Sequence, residues 1–560
     1  MKSTKPLLMI GLAAVLTAVG CSAPETDRQA GNDTFAPAQP EVLHPPTEPE
    51  VAVALEQIAV SPRIAVSDAA HASRVLGQPT HPGNRPQNQN RERYRHFDDN
   101  PVRRAAEDPV STFSIDVDTG SYANVRRMLQ SGRLPSADAV RVEEMINYFG
   151  YDYPRPDPRQ APFSVSVEQT ATPWNARTRL VQIGIRGHAP APEDIPPANL
   201  VFLVDVSGSM NGPDRLPLVV NGLKLLARQL GANDRIALVV YAARTGVVLE
   251  STAGDQTATI MAALDQLQAG GSTNGGDGLR MAYGQARQGF IKGGINRVIL
   301  ATDGDFNVGT VDQEALLDLI RRQRESGISL TTLGVGGGNY NDYLMDQLAA
   351  AGDGNSAYID TLSEARKVLV EERHSTLMTI ASDVKIQVEF NPAVVAEYRL
   401  IGYENRQLER EDFNNDAVDA GDIGAGHTVT ALYEVALTGS GGERIDPLRY
   451  GEQASQSDSA HGDELAFVRL RYKTPGESVS QLLETPVRST DKPAASDNLA
   501  FAAAVAAFGQ HLRGGEHLEQ FTLADIHALA SQARGDDTDG YRGEFLQLIR
   551  LAESLSLARR

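Results

Sequence analysis

The stretch Leu200-Val201-Phe202-Leu203-Val204-Asp205-Val206-Ser207-Gly208-Ser209 decides the fold of this 560-residue chain. Its first five residues are all apolar, without the alternation of a strand that faces water on one side. Such a run is typical of a parallel strand buried on both faces. Polar residues begin at Asp205, at the carboxyl end of the strand, which is the edge where ligands bind in open α/β sheets. The stretch therefore predicts a central parallel strand that ends in oxygen-bearing side chains.

The sequence around this strand, from about residue 196 to 373, alternates between helix and strand patterns. A helical stripe follows the strand directly and continues through Leu223 and Leu226. Five more strands are predicted at Ile236–Tyr241, Val247–Leu249, Arg297–Ala301, Ile328–Val335 and Ala357–Ile359. The pattern predicts an α/β fold with a doubly wound, mostly parallel six-stranded sheet of Rossmann-like type, in which the second of these five is an antiparallel edge strand.

The segments on either side of this block have a different pattern. Residues 163–167 before the block, and 384–390, 429–435 and 466–472 after it, place apolar side chains at every second position. This alternation predicts half-buried strands. We hypothesise that the two flanks pair into one antiparallel β module with the α/β block inserted between them. From Ser496 to the end of the chain the spacing becomes helical, which predicts C-terminal helices.

Three segments place oxygen-bearing side chains at the predicted carboxyl ends of strands. They are Asp205-x-Ser207-x-Ser209, the glycine-rich loop 270–276 with Thr273, and Asp303-Gly304. Together they supply two carboxylates and several hydroxyls, and they contain neither histidine nor cysteine. Hard oxygen ligands with few charges suit Mg2+, which keeps several of its waters. The sequence therefore predicts a divalent-cation site at this rim of the sheet.

The same residues resemble the metal-ion-dependent adhesion site of von Willebrand factor type A domains. The flanking stretches Phe113–Tyr122, Arg141–Phe149 and Tyr403–Arg406 are similar to a bacterial lipoprotein family of the YfbK type. The resemblance covers roughly residues 105 to 555. It implies a von Willebrand factor type A fold for the central block, and it implies a function in binding other proteins.

The resemblance also implies a role for each residue of the site. Ser207 and Ser209 would ligate the ion directly, with Asp205 holding waters and neighbouring groups. Thr273 would ligate directly in the high-affinity arrangement, and Asp303 would act directly or through water. The remaining coordination position would be left for an aspartate or glutamate of a partner protein. Mg2+ is the expected ion, with Mn2+ and Ca2+ as alternatives.

The charge balance restricts the partners of this chain. Lys and Arg total 52 against 72 Asp and Glu, which gives a net charge of −20. An acidic chain without a basic patch is not expected to bind nucleic acid, because that requires displacement of counterions from phosphates. A metal ion reverses the local sign of the charge, so it would allow this acidic protein to capture an acidic partner.

The N-terminus predicts export and lipidation. Lys2 and Lys5 precede a short apolar run, and Ala18-Val19-Gly20-Cys21 follows it. This is the pattern of a secretory signal, and its end resembles a bacterial lipobox, in which the cysteine is acylated. Cys21 is the only cysteine, which excludes a disulfide framework. Ser22 at the next position implies the outer membrane by resemblance to lipoprotein sorting rules, and we expect the protein to be anchored there, facing the periplasm.

These observations predict five regions. Residues 1–20 are the signal peptide, and 21–108 are the lipidated cysteine with a disordered tether rich in Pro, Gln and Asn. Residues 109–195 form an N-terminal α+β region, 196–373 the type A domain, and 374–560 a C-terminal domain of strands and helices.

The leading functional hypothesis is a non-enzymatic, lipid-anchored adhesion or scaffolding protein that captures a partner's carboxylate through bound Mg2+. No small-molecule substrate is expected. One alternative is an assembly factor whose metal site recruits another envelope complex. A second alternative is a metal-dependent hydrolase, which needs a general base near the ion. Asp305 is the only extra titratable group that the sequence places there.

Two other acidic motifs have simpler explanations. Asp118-Thr119-Gly120 resembles half of an aspartic protease site, but no second such motif follows an apolar strand. We predict an acidic turn that caps the next helix. Asp416, Asp419 and Asp422 have no EF-hand spacing. A solvated acidic loop is the expected structure there, with a secondary calcium site as the alternative.

Overall fold

A computed structural model describes residues 91–559, except 272–274, 305, 307–312, 447, 449–460 and 490–494. The signal peptide, Cys21 and the tether up to residue 90 lie outside the described residues, as do Thr273 and Asp305.

The described residues include the following strands: β1 (Arg103–Arg104), β2 (Val110–Ser114), β3 (Phe163–Thr172), β4 (Asn175–Gly187), β5 (Ala198–Asp205), β6 (Arg235–Tyr241), β7 (Gly246–Ala253), β8 (Ile295–Thr302), β9 (Ser329–Val335), β10 (Ser356–Ile359), β11 (Thr379–Phe390), β12 (Val395–Ile401), β13 (Gly421–Gly424), β14 (Thr428–Leu437), β15 (Glu464–Lys473) and β16 (Gln481–Arg488). The α-helices are α1 (Gly120–Gln130), α2 (Val142–Asn147), α3 (Leu216–Ala227), α4 (Thr257–Asp265), α5 (Gly275–Gln288), α6 (Gln313–Glu325), α7 (Asp342–Ala351), α8 (Leu362–Arg366), α9 (Arg373–Leu377), α10 (Asp497–Arg513), α11 (Leu523–Gln532) and α12 (Tyr541–Arg559).

The central sheet has six strands in the order β10-β9-β8-β5-β6-β7. Its strands are parallel except β7, which pairs antiparallel with β6 at one edge. All eight residues of β5 are buried, as the unbroken apolar run predicts. Helices cover both faces, since α3 and α4 share one apolar core with the sheet and α5, α6 and α7 share another. The predicted α/β fold is confirmed.

The flanking segments pair with each other, as hypothesised, but they form two sheets. In the first, with the order β1-β12-β14-β4-β3, the strand β4 before the central block pairs with β14 after it. In the second, β2 pairs with β11, which continues to β15 and β16. The strands at 163–187 therefore share a sheet with β14 but not with β11 or β15. Both sheets contribute apolar side chains to one shared core. The first sheet is covered on its other face as well, because Leu180 of β4 and Leu432 of β14 belong to the apolar cluster of the C-terminal helices.

The C-terminal helices form a further core with the N-terminal flank. Residues of α10, α11 and α12 pack with α1 and α2 in a single apolar cluster that includes Trp174. The alanine-rich stretch of α10 is buried there, and the side chain of Ser496 caps the helix by accepting from the Leu499 N–H at 3.2 Å. None of the described helices is long and apolar enough to cross a membrane.

Candidate cation site

The topology brings the ends of β5 and β8 together. The two strands are hydrogen-bonded neighbours, and Val204 is paired with Ala301. The next residues along each strand, Asp205 and Thr302, therefore lie at the same rim, followed by Asp303. Both carboxylates are buried, with Asp205 0% and Asp303 1% exposed. Two acidic groups thus meet at the carboxyl edge of a parallel sheet, where such folds bind ligands.

Asp205 is held in one orientation by three hydrogen bonds. Its Oδ1 accepts from the Ser207 backbone N–H at 2.8 Å, while its Oδ2 accepts from Thr302 Oγ1 at 3.0 Å and from Tyr241 Oη at 3.2 Å. Burial raises the pKa of Asp205, and the nearby charge of Asp303 raises it further, against the lowering effect of the Ser207 hydrogen bonds. A cation at this rim would offset both unfavourable effects, because it stabilises the ionised carboxylate.

Ser207 and Ser209 lie in the turn that follows β5. Their Oγ atoms are 2.9 Å apart. The turn is joined to the loop before α5, since the Gly208 N–H donates to the Gly271 carbonyl at 2.9 Å and the Gly270 N–H donates to the Val206 carbonyl at 2.7 Å. The beginning of the Thr273 loop therefore lies beside the two serines, although Thr273 itself falls outside the described residues.

The structure thus places Asp205, Ser207, Ser209 and Asp303 at one rim. Their oxygen-only donors fit a hard divalent cation such as Mg2+, and two neighbouring hydroxyls with a buried carboxylate would form a partial cage for such an ion. Among the described residues, no group of three or more His, Cys, Asp or Glu could hold a metal ion. A cation site at this rim would accordingly depend on the serine hydroxyls as well as on the two carboxylates.

Arg215 also belongs to this site, although it is not among the residues predicted to form it. Its Nη1 lies 3.0 Å from Asp303 Oδ2 and also donates to the Ser209 carbonyl, while its Nη2 donates to the Gly337 carbonyl at 2.6 Å. The guanidinium therefore joins the turn after β5, the end of β8 and the loop after β9. An arginine just before a helix carries no sequence signal for this role, because the loop after β9 comes close only in the tertiary structure.

The loop after β9 forms the neighbouring wall of the site. Gly304 has a positive φ of +89°, and a Cβ built there would lie 2.4 Å from the Asn341 backbone nitrogen. Only glycine allows this close approach of two loops. The chain segment beginning at Arg91 lies against the same loop, because the Arg91 N–H donates to the Gly338 carbonyl at 2.8 Å. Residues 91–108, which the composition assigned to the tether, thus include folded chain beside the site.

The Asp118-Thr119-Gly120 motif takes part in an ion-pair network that connects separate segments of the chain. Arg406 pairs with Asp116 at 2.8 Å, with Asp118 at 3.3 Å and with Asp346 of α7 at 3.2 Å. The prediction that the acidic turn caps α1 is wrong, since no side chain of the N-cap residue bonds the helix. The Ser121 N–H donates instead to Glu144 Oε2 at 2.7 Å, because α2 brings this carboxylate to the end of α1.

The acidic loop at 416–422 divides its carboxylates among different partners. Asp416 accepts from Ser480 at 2.6 Å and pairs with Arg471, and these contacts lower its pKa to about 2. Asp419 pairs with Arg324 at 2.9 Å. These arginine partners favour ionic contacts within the protein, and the described residues give the calcium alternative no cluster of three ligands.

Comparison with known proteins assigns the central block to a class. Residues 199–372 match the model of the von Willebrand factor type A domain, and residues 88–182 match a model described as von Willebrand factor. Residues 375–555 match the C-terminal region of "Uncharacterized protein YfbK". The chain is 51% identical over 470 residues to that protein of Escherichia coli K12, an alignment that covers 83% of this chain and 81% of the relative. The chain belongs to the YfbK family of type A domain proteins.

More distant similarities extend over parts of the chain. "Uncharacterized protein sll0103" of Synechocystis is 24% identical over 316 residues, which is 56% of this chain and 70% of the relative. Among solved structures, a von Willebrand factor type A protein from Catenulispora acidiphila matches with a TM-score of 0.38 and 16% identity, over 70% of this chain and 91% of the other. Type A domains are protein-interaction modules, and the class of this chain therefore indicates protein binding or adhesion.

Proposed function

We propose that this chain is a lipid-anchored envelope protein that binds a divalent cation at the rim of its central sheet and uses it to capture an acidic residue of a partner protein. The observation that carries the proposal is the convergence of Asp205, Ser207, Ser209 and Asp303 from two neighbouring strands onto one rim. The adhesion class of the fold supports it, as does the oxygen-only chemistry of the four side chains.

Each residue has a specific task in this proposal. Ser207 and Ser209 present adjacent hydroxyls as ligands, and Asp205 is oriented by Thr302 and Tyr241 to hold waters or the ion. Thr273 and Asp303 complete the proposed set. When bound, the cation supplies an electrophilic position that a carboxylate can fill. Since few of the ligands are anionic, most of the ion's charge stays available to the partner.

The proposed location follows from the N-terminal sequence. Acylation of Cys21 would anchor the protein in the outer membrane, since several acyl chains hold a protein on a bilayer at about 0.8 kcal/mol for each buried CH2 group. We propose that the folded part faces the periplasm, and that the chain acts without enzymatic turnover. The hydrolase alternative depends on Asp305, which lies outside the described residues.

Calorimetric titration with MgCl2 tests the proposal. The full chain in detergent should bind Mg2+, and Asp205→Ala should abolish the binding heat, because it removes a buried carboxylate at the centre of the site. Ser209→Ala removes one hydroxyl from a partly exposed turn and should weaken binding without unfolding the protein. Asp318→Ala, on the solvent-exposed side of α6, is the matched control and should bind as the wild type does. A wild-type chain that binds no divalent cation would contradict the proposal.

A further inference from the structure

The segment Arg91-Glu92-Arg93-Tyr94 forms an extended edge beside the candidate cation site. Its backbone follows the loop after β9, with the Arg93 N–H donating to the Tyr340 carbonyl at 2.9 Å and the Arg93 carbonyl accepting from the Asp342 N–H at 3.1 Å. Alternate side chains point in opposite directions, as in a β-strand. Arg91 and Arg93 are exposed, whereas Glu92 and Tyr94 are turned toward the protein.

Glu92 and Tyr94 fix this segment in place. The Glu92 side chain is 1% exposed, pairs with Arg127 at 3.0 Å and accepts from the Gly338 N–H at 2.8 Å. Tyr94 packs against the apolar cluster that includes Tyr340 and Tyr358. A buried ion pair with an additional backbone hydrogen bond is a strong anchor. The contacts of Glu92 and Tyr94 therefore determine that the side chains of Arg91 and Arg93 point outward.

The arginines line a groove at the rim of the site. A cavity of about 600 Å3 is bounded by Arg91 and Arg93 on one side and by Gly304, Phe306 and Asn341 on the other. Gly304 directly follows Asp303, so the groove begins one residue along the chain from an aspartate of the candidate site. Within the part of the chain that the structure describes, neither Arg91 nor Arg93 is paired with a carboxylate. Two exposed cationic side chains thus face a groove in a protein whose net charge is −20.

We infer that this groove takes an extended acidic segment of a partner protein, with one carboxylate at the cation and further carboxylates on Arg91 and Arg93. The inference rests on the proposed function and specifies the chemistry of the partner. The two arginines lie on one face of an extended chain, so their side chains start about 6–7 Å apart. An extended partner with Asp or Glu at alternate positions has the same spacing and pairs with both arginines, whereas a single carboxylate reaches only one of these groups.

Binding of a synthetic peptide tests this inference. The probe is a fluorescein-labelled peptide with Glu at three alternate positions, and the comparison peptide has Gln at two of the three. The full chain in detergent and MgCl2 should bind the first peptide more tightly. The double variant Arg91→Gln/Arg93→Gln should bind it about threefold to tenfold more weakly at low salt, as expected for two partly solvated ion pairs. The difference should shrink as salt is added.

Control variants separate this inference from the proposed function. Arg321→Gln/Arg322→Gln removes two arginines near the end of α6, which leads into the amino end of β9, whereas the candidate site is at the carboxyl ends of the strands. This variant should bind the peptide as the wild type does. Arg91→Gln/Arg93→Gln should keep the Mg2+ titration of the wild type, whereas Asp205→Ala should lose both Mg2+ and peptide.

Three results would overturn the inference. The first is unchanged peptide affinity in Arg91→Gln/Arg93→Gln, and the second is equal affinity of the wild type for the two peptides. The third is that the protein binds anionic phosphatidylglycerol vesicles through the two arginines and binds neither peptide. If the wild type binds Mg2+ but gives one of these results, the proposed cation site stands and only the role of the groove is wrong. If the wild type binds no Mg2+, both proposals fail.

Discussion

Replacing Arg126 with methionine should destabilise the protein more than any exposed arginine replacement. Arg126 of α1 is 2% exposed, and it pairs with Asp360 and Glu364, which are 3% and 1% exposed. Its third partner, Glu544 of α12, lies 2.9 Å away and is 32% exposed. One guanidinium thus joins the N-terminal flank, the central block and the C-terminal helices.

The expected loss is about 3–5 kcal/mol at neutral pH, the range for removing one partner of a buried ion pair. Methionine restores most of the volume, so the loss arises mainly from the two buried carboxylates that remain without their cation. Protonation lowers this penalty. Burial raises the pKa of Glu364, and Arg126 and Lys367 counteract this in the wild type. Without Arg126 that pKa rises further, so the deficit should be largest near pH 8 and smaller near pH 5.

Urea unfolding followed by tryptophan fluorescence measures this loss. Trp174 is the only tryptophan and is buried in the same apolar cluster as Tyr148, which also contacts Arg126. At a slope of about 3 kcal/mol per molar urea, a loss of 3–5 kcal/mol lowers the unfolding midpoint by about 1–1.7 M.

Arg324→Met is the matched control. Arg324 also pairs with two carboxylates, those of Asp353 and Asp419, at 3.0 and 2.9 Å, but these are 36% and 56% exposed. We expect this variant to lose less than about 1 kcal/mol. Equal midpoints for the two variants, or an Arg126→Met deficit that does not change between pH 5 and 8, would refute the reasoning from burial.

Two further predictions concern the protein core and the rim of the site. Glu143 is fully buried, and burial together with the charge of Glu404 raises its pKa to about 8. Its folded-state pKa exceeds its unfolded value, so wild-type stability should fall as the pH rises from about 5 to 8. Glu143→Gln should weaken this fall, as measured by urea titrations at several pH values. Parallel pH profiles for the variant and the wild type would contradict the prediction. Gly304→Ala should lower the melting temperature and weaken Mg2+ binding in calorimetry, because its Cβ would meet the Asn341 backbone at 2.4 Å in a left-handed conformation. Gly132→Ala, whose φ is also positive but whose Cβ meets nothing within 4 Å, is the control for backbone strain alone and should leave Mg2+ binding unchanged.

The central sheet could be predicted from the sequence because its signals are local. An apolar run without alternation at Leu200–Val204 can be buried only on both faces, which requires a parallel strand covered by helices. The polar residues that follow this run must lie at the rim of the sheet, because the strand ends where its buried apolar residues end. The same reasoning predicted that Asp205 and Asp303 lie at one rim of the sheet, whereas the structure shows that their strands, β5 and β8, are direct neighbours.

The strand pairing of the flanking segments could not be predicted in the same detail. Alternation identifies a strand and its buried face but carries no information on which strand becomes its neighbour. The sequence therefore predicted that the flanks pair, whereas the division into two sheets depends on contacts such as β4 with β14 and β2 with β11. These pairings span more than 240 residues of chain.

The sequence alone determined the class of the central domain and the chemistry of its rim, because both follow from short motifs, each read from residues next to one another in the chain. Only the tertiary structure decided what surrounds that rim. Arg215 contacts Asp303 from 88 residues away, and Glu92 contacts Gly338 from 246 residues away. No local pattern marks either residue. Their roles arise because folding brings the loop after β9 against both the end of β8 and the segment Arg91–Tyr94.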